Sequence, residues 1–143
     1  MTKQNFYIVA AFLLIGGIAA LVMSGINPGK PITGATQNQT VELKNGDTYN
    51  LTAEYVTKTI AGKPRTMLAY NGSIPGPTIR VAQGAEVTIN FKNDTDIVTL
   101  LHAHGVRMDN AFDGSQLQQE EMKPGESFSY RLKFPDAGIY WYH

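Results

Sequence analysis

Three histidines hold most of the chemical potential of this sequence. His102 and His104 stand two residues apart in Leu101-His102-Ala103-His104-Gly105, and His143 follows Ile139-Tyr140-Trp141-Tyr142. In an extended segment successive side chains alternate between faces, so His102 and His104 point the same way with Ala103 turned to the other side. Two imidazoles on one face form a ligand pair, and Gly105 beyond them lets a backbone or a ligand approach closely. By the same alternation His143 shares a face with Trp141 and Ile139. Zinc, copper, nickel and non-haem iron all accept imidazole, so the pair by itself does not name the metal. The chain contains no Cys. That removes disulfides, thiolate nucleophiles, iron–sulfur clusters and any thiolate-ligated zinc or blue-copper centre within these residues.

Other candidates are weaker. Glu120-Glu121 are adjacent carboxylates in a polar loop, an arrangement more usual for a solvated surface than for acid–base catalysis. Asn38, Asn50, Asn71 and Asn93 each open an Asn-x-Ser/Thr sequon, which matters only in a host that glycosylates exported proteins. Twelve basic side chains balance twelve acidic ones over 143 residues. No net field draws in nucleic acid, and that class is set aside.

The elements that must position the histidines read as strands. Residues 41–44, 48–60 and 66–70 are rich in Val, Ile, Leu, Tyr and Thr, and they are separated by Asn45-Gly46 and Gly62-Lys63-Pro64 turns. Alternation is clearest at Val87, Ile89 and Phe91, and again at Phe128, Tyr130, Leu132 and Phe134, giving strands with one wet face each. The apolar run 97–101 predicts a strand buried on both sides, directly before the histidine pair. Residues 139–142 predict a short aromatic strand, whose Tyr140, Trp141 and Tyr142 suit core or domain contacts better than an electron relay. Short strands at this density, punctuated by Gly and Pro, predict an all-β fold: an antiparallel sandwich with Greek-key connections. The length suits one domain.

Ahead of these strands, residues 6–23 contain no charge and no Pro. As a helix at ~1.5 Å per residue they reach ~27 Å, close to the ~30 Å bilayer core. Residues 1–25 are therefore expected to be a membrane anchor or a cleaved signal, and residues 26–40, rich in Gly, Pro, Thr and Asn, a flexible linker. Positive charge on the leading side keeps the amino terminus cytoplasmic and exports the rest.

The ordered set from Tyr70-Asn71-Gly72-Ser73-Ile74-Pro75-Gly76-Pro77 through His102-Ala103-His104-Gly105, Asp113-Gly114 and Pro124-Gly125-Glu126 to Gly138-Ile139-Tyr140-Trp141-Tyr142-His143 resembles the amino-terminal cupredoxin domain of a multicopper oxidase. The resemblance covers residues 70–143, and it implies that residues 41–143 are the first, truncated cupredoxin domain, a Greek-key sandwich incomplete at its carboxyl end. It implies a copper cofactor, with His102 on the type 2 copper and His104 and His143 on one copper of the type 3 pair. It implies oxidation of a donor and reduction of dioxygen to water. Asp113 stands where the family carries an acid near that site, suited to relaying protons.

Two departures qualify the resemblance. Ala103 stands where the family most often has Trp, and the second family motif, His-x-His, stops here at its first histidine. The remaining ligands and the type 1 centre are expected in a carboxyl-terminal domain beyond residue 143, so the fragment alone is expected to be inactive. A copper nitrite reductase or two-domain oxidase with a type 1 centre in this domain is the alternative, and Cys at position 144 would favour it. A non-enzymatic secreted cupredoxin is disfavoured, because single-copper members use Cys with separated His. The reducing substrate is not legible.

Overall fold

The structure, a computed structural model, describes residues 32–143. The expected apolar helix and the first part of the expected linker lie outside the described residues. Among the described residues no helix is long and apolar enough to cross a membrane.

The chain is all-β, with one turn of 3-10 helix at Asn110–Phe112. Its strands are β1 (Ile32–Thr33), β2 (Thr40–Leu43), β3 (Thr48–Ile60), β4 (Lys63–Tyr70), β5 (Thr78–Val81), β6 (Glu86–Asp94), β7 (Ala103–His104), β8 (Ser127–Lys133) and β9 (Trp141–Tyr142). The main sheet runs β1-β3-β6-β8, with β4 on the other edge of β3, while β2 pairs with β5 and β7 with β9. Alternation dictates the inward faces: Leu51 and Ala53 of β3, Val87, Ile89 and Phe91 of β6, and Tyr130 and Leu132 of β8 are buried in one cluster. Val41, Leu43, Ile79 and Val81 from the β2/β5 pair close over that cluster, as do Ala103 and Tyr142 from β7/β9. The core therefore lies between the main sheet and the two small ones, and β7/β9 forms one of its lids.

Several expectations change. Pairing is mixed rather than antiparallel, since β1–β3, β2–β5 and β3–β6 are parallel. Part of the expected linker is engaged: Ile32–Thr33 pairs with Val56 and Thr57, and the Thr36 amide donates to the Gly72 carbonyl. The hairpin turns at Ala61-Gly62, both with positive φ (49° and 75°), so Lys63 and Pro64 belong to β4. A two-residue loop with both φ positive matches the twist of the strands it joins.

The largest change concerns residues 97–101. They form no buried strand: Ile97 and Val98 are about half exposed, at 48% and 50%. Thr99 makes an isolated bridge with Met122. The cause is Asn93, fully buried at the end of β6, whose amide nitrogen donates to the carbonyls of Ile97 and Met122 while its oxygen accepts from the Thr95 amide and hydroxyl. Both edges of β6 are already paired, with β3 and β8. The apolar run is thus held as a loop that buries Leu101 in the core and packs Leu100 against it. These bonds also occupy the side-chain nitrogen of the Asn93 sequon, and the Asn71 amide is likewise committed, to Tyr49 and the Asn50 carbonyl.

Candidate metal centre

The histidine site is built by strand register. Ala103 pairs with Tyr142 and His104 with Trp141. The ladder extends one residue further, because the backbones of His102 and His143 exchange both hydrogen bonds, at 2.8 and 2.9 Å. Directly opposed residues put their side chains on the same face. His102, His143, His104 and Trp141 therefore share one face, while Ala103 and Tyr142 pack into the core on the other.

The result is a three-imidazole cluster. One ring nitrogen from each of His102, His104 and His143 can be chosen so that all lie within 4.8 Å of one another. Ring centroids are 5.5 Å apart for His102–His104, 5.3 Å for His102–His143 and 5.9 Å for His104–His143. His104 and His143 are exposed and His102 is half-buried. Trp141 stacks on His104 at 4.2 Å with the planes 20° apart, and it remains 61% exposed. Of the segment expected to make core or domain contacts, Tyr142 packs against the core, whereas the register sets Trp141 on the exposed histidine face.

The ladder is fixed from behind. The Tyr142 hydroxyl donates to the Pro77 carbonyl at 2.7 Å, and its ring lies 5.2 Å from Tyr70. Burial pushes the Tyr142 phenol well above its ordinary range. On the other strand, the Leu101 amide donates to the hydroxyl of buried Tyr130 at 3.1 Å.

His102 is oriented by the Asp113-Gly114 loop. Asp109 caps the 3-10 turn by accepting from the Ala111 amide, and the turn ends at Asp113. The Asp113 main-chain carbonyl then lies 2.5 Å from His102 Nδ1, and its carboxylate oxygen lies 3.7 Å away. A carbonyl oxygen can only accept, so Nδ1 carries the proton and Nε2 keeps its lone pair for a metal. Gly114 makes this approach feasible: its φ is +70°, and a Cβ there would sit 1.9 Å from the Leu101 oxygen.

All three predicted histidines come together. Asp113 comes to His102 as well, though its nearest contact is through the main chain rather than the carboxylate. Glu120 and Glu121 are exposed, as expected of a solvated pair. Sequence reasoning missed the roles of Gly114 and of the Trp141 stack. The His143/Trp141 alternation held a signal for the second, whereas nothing local marked the first.

Residues 52–143 match the family model for multicopper oxidase. The chain belongs to the multicopper oxidase family. It is 32% identical over 130 residues to copper resistance protein A of Pseudomonas syringae pv. tomato, covering 90% of this chain and 21% of that protein. It is 41% identical over 99 residues to multicopper oxidase MCE of Talaromyces pinophilus, covering 67% and 16%. A crystal structure of a multicopper oxidase from Pseudomonas thermotolerans superposes with a TM-score of 0.64 at 31% identity, covering 80% of this chain and 25% of that one. The chain spans about a fifth of the length of the curated relatives it matches. Copper is the cofactor that membership implies.

Proposed function

We propose that this chain supplies three imidazole ligands to the trinuclear copper site of an oxidase that takes electrons from a donor and reduces dioxygen to water. The observation that carries the reading is the convergence of His102, His104 and His143 on one face of a register-locked ladder. The donor set fits copper: neutral imidazole suits both its oxidation states, and the His102 tautomer leaves Nε2 free. In this reading His102 serves the type 2 copper, and His104 and His143 serve one type 3 copper. Bound copper would supply one-electron redox chemistry and a binding point for dioxygen.

The protein's own part is positional. Asp113 and Gly114 hold the His102 ring, Trp141 holds the His104 ring, and backbone pairing holds His143 against His102. The Asp113 carboxylate, 3.7 Å from His102, is suited to pass protons inward from solvent. In the same reading the fold is a Greek-key cupredoxin sandwich, the first of two or more such domains, with the complementary histidines and the type 1 copper supplied elsewhere in the full-length protein. Export follows from residues 1–25, as anchor or signal.

The test is His104→Ala or His143→Ala in the complete protein. Either change is expected to deplete the trinuclear coppers and abolish dioxygen consumption while sparing the blue absorption of a distant type 1 copper. Normal oxygen consumption by a fully expressed His104→Ala variant refutes the assignment.

A further inference from the structure

The hairpin of β3 and β4 extends past the main sheet, and its outer half is cationic. Lys58 lies directly opposite Arg65, and Ile60 opposite Lys63. Cross-strand partners share a face, as do residues two apart along a strand, so Lys58, Lys63, Arg65 and Ile60 form one surface. All four are exposed, Ile60 at the tip beside the Ala61-Gly62 turn. Residues 55–85 contain no Asp or Glu. Among the described residues none of the three cations lies in an ion pair, whereas Arg80 pairs with Glu42 at 3.1 Å. The residues outside the described ones, 1–31, contribute no carboxylate either.

Like charges placed directly opposite each other destabilise a strand pair. The Lys58–Arg65 arrangement therefore carries a repulsion that an external anion relieves. We propose that this hairpin docks on a lipid bilayer bearing anionic headgroups, with the three cations over the phosphates and Ile60 entering the interface.

Two further facts select that occupant. β1 pairs with Val56 and Thr57 at the root of the hairpin. Residues 24–31 are all that separate β1 from the apolar segment 6–23, and at ~3.5 Å per residue they span at most ~28 Å. A bilayer that received the segment would hold the hairpin close to its surface. A second copy is disfavoured, because stacking two hairpins brings like charges together. Nucleic acid is disfavoured by the balanced charge of the whole chain.

The experiment uses the complete protein with an azide-bearing non-natural amino acid in place of Thr59, so that labelling does not depend on cysteine. Thr59 is exposed and lies on the face opposite the cations, so an environment-sensitive fluorophore there leaves them intact. The chain is reconstituted into vesicles of phosphatidylcholine alone or with phosphatidylglycerol, each doped with headgroup spin-labelled lipid. Quenching is expected with phosphatidylglycerol at ~0.1 M salt and its release at ~1 M, as the Debye length falls from ~10 Å to ~3 Å. Lys58→Ser, Lys63→Ser and Arg65→Ser should each weaken the contact roughly fivefold. Lys58→Arg with Lys63→Arg should retain it. Equal emission in both vesicles, quenching indifferent to salt and to the serine variants, or quenching that disappears on diluting protein among vesicles would each overturn the proposal. Loss of copper would not change the result, so this test is separate from that of the copper site.

Discussion

Gly114→Ala tests whether a main-chain carbonyl orients the first ligand. The added Cβ would meet the Leu101 oxygen at 1.9 Å, and relief to ordinary contact at 3.4 Å requires the loop or strand to retreat by about 1.5 Å. The Asp113 carbonyl is one residue away, so a shift of that size takes it from 2.5 Å to beyond hydrogen-bond range of His102 Nδ1. The left-handed φ costs an alanine about 1–2 kcal/mol, and the lost hydrogen bond about 1 kcal/mol more. The stability loss should total about 2–3 kcal/mol. Disturbing a partner that orients a metal-bound imidazole typically lowers metal affinity by about 10–100-fold. Gly125→Ala is the control, because its φ is +84° and nothing lies within 4 Å of a Cβ there. It should share the backbone cost and leave copper affinity intact. Urea unfolding and copper retention against a graded chelator measure the two quantities, and imidazole nitrogen NMR reads the His102 tautomer. Equal copper affinity in the two variants would refute the orienting role.

Asp113→Asn keeps the carbonyl and changes the carboxylate, so copper content should hold while dioxygen consumption by the complete enzyme slows at least tenfold, about 1.4 kcal/mol of barrier; a wild-type rate would remove the carboxyl from the proton path. Asn93→Ala deletes the amide that holds residues 95–97 and Met122, and urea midpoints should show a loss of about 3–5 kcal/mol; a loss below about 1 kcal/mol would contradict its role. Tyr142, Tyr70 and Tyr130 have phenols raised by burial. An unfolded phenol ionises near ~10 while the folded one stays neutral, so stability is full below pH ~10 and falls as pH rises beyond it. Tyr142→Phe should shorten that alkaline decline in urea midpoints taken at several pH values, and an unchanged slope would refute the burial argument.

The sequence displayed the site more plainly than the sheet that carries it. His102, His104 and Trp141 obey the two-residue period of a strand, a rule that is local and needs no partner. The main sheet obeyed it too, and Val87, Ile89, Phe91, Tyr130 and Leu132 are buried as their alternation predicts. Residues 97–101 defeated the same reasoning. A run that is apolar but for Thr99 is compatible with a buried strand, but the outcome was set by a polar side chain four residues upstream, Asn93, taking the Ile97 carbonyl. Parallel pairing was equally hidden, since the pattern of one strand does not encode the direction of its neighbour. Gly114 stood in an ordinary Asp-Gly turn signal. Its importance depends on Leu101, thirteen positions earlier, lying against it, and contacts of that range leave no local trace.

The Tyr-Trp-Tyr segment acquires a specific meaning from the register. His143 reaches His102 because Tyr142 faces inward and Trp141 outward, and a slip of one residue would reverse both. It would turn His143 into the core and strand an indole there in place of a phenol. Two features oppose that slip. The Tyr142 hydroxyl has a fixed acceptor in the Pro77 carbonyl, which an indole in its place would not meet at the same reach. Gly76 closes the other side, where a Cβ would lie 2.8 Å from the Tyr142 oxygen and 3.0 Å from the Tyr70 Cβ. The pocket is therefore shaped for one ring in one position. The Pro75-Gly76-Pro77 turn thus supports the cluster from behind the ladder by fixing which face of β9 the next histidine occupies.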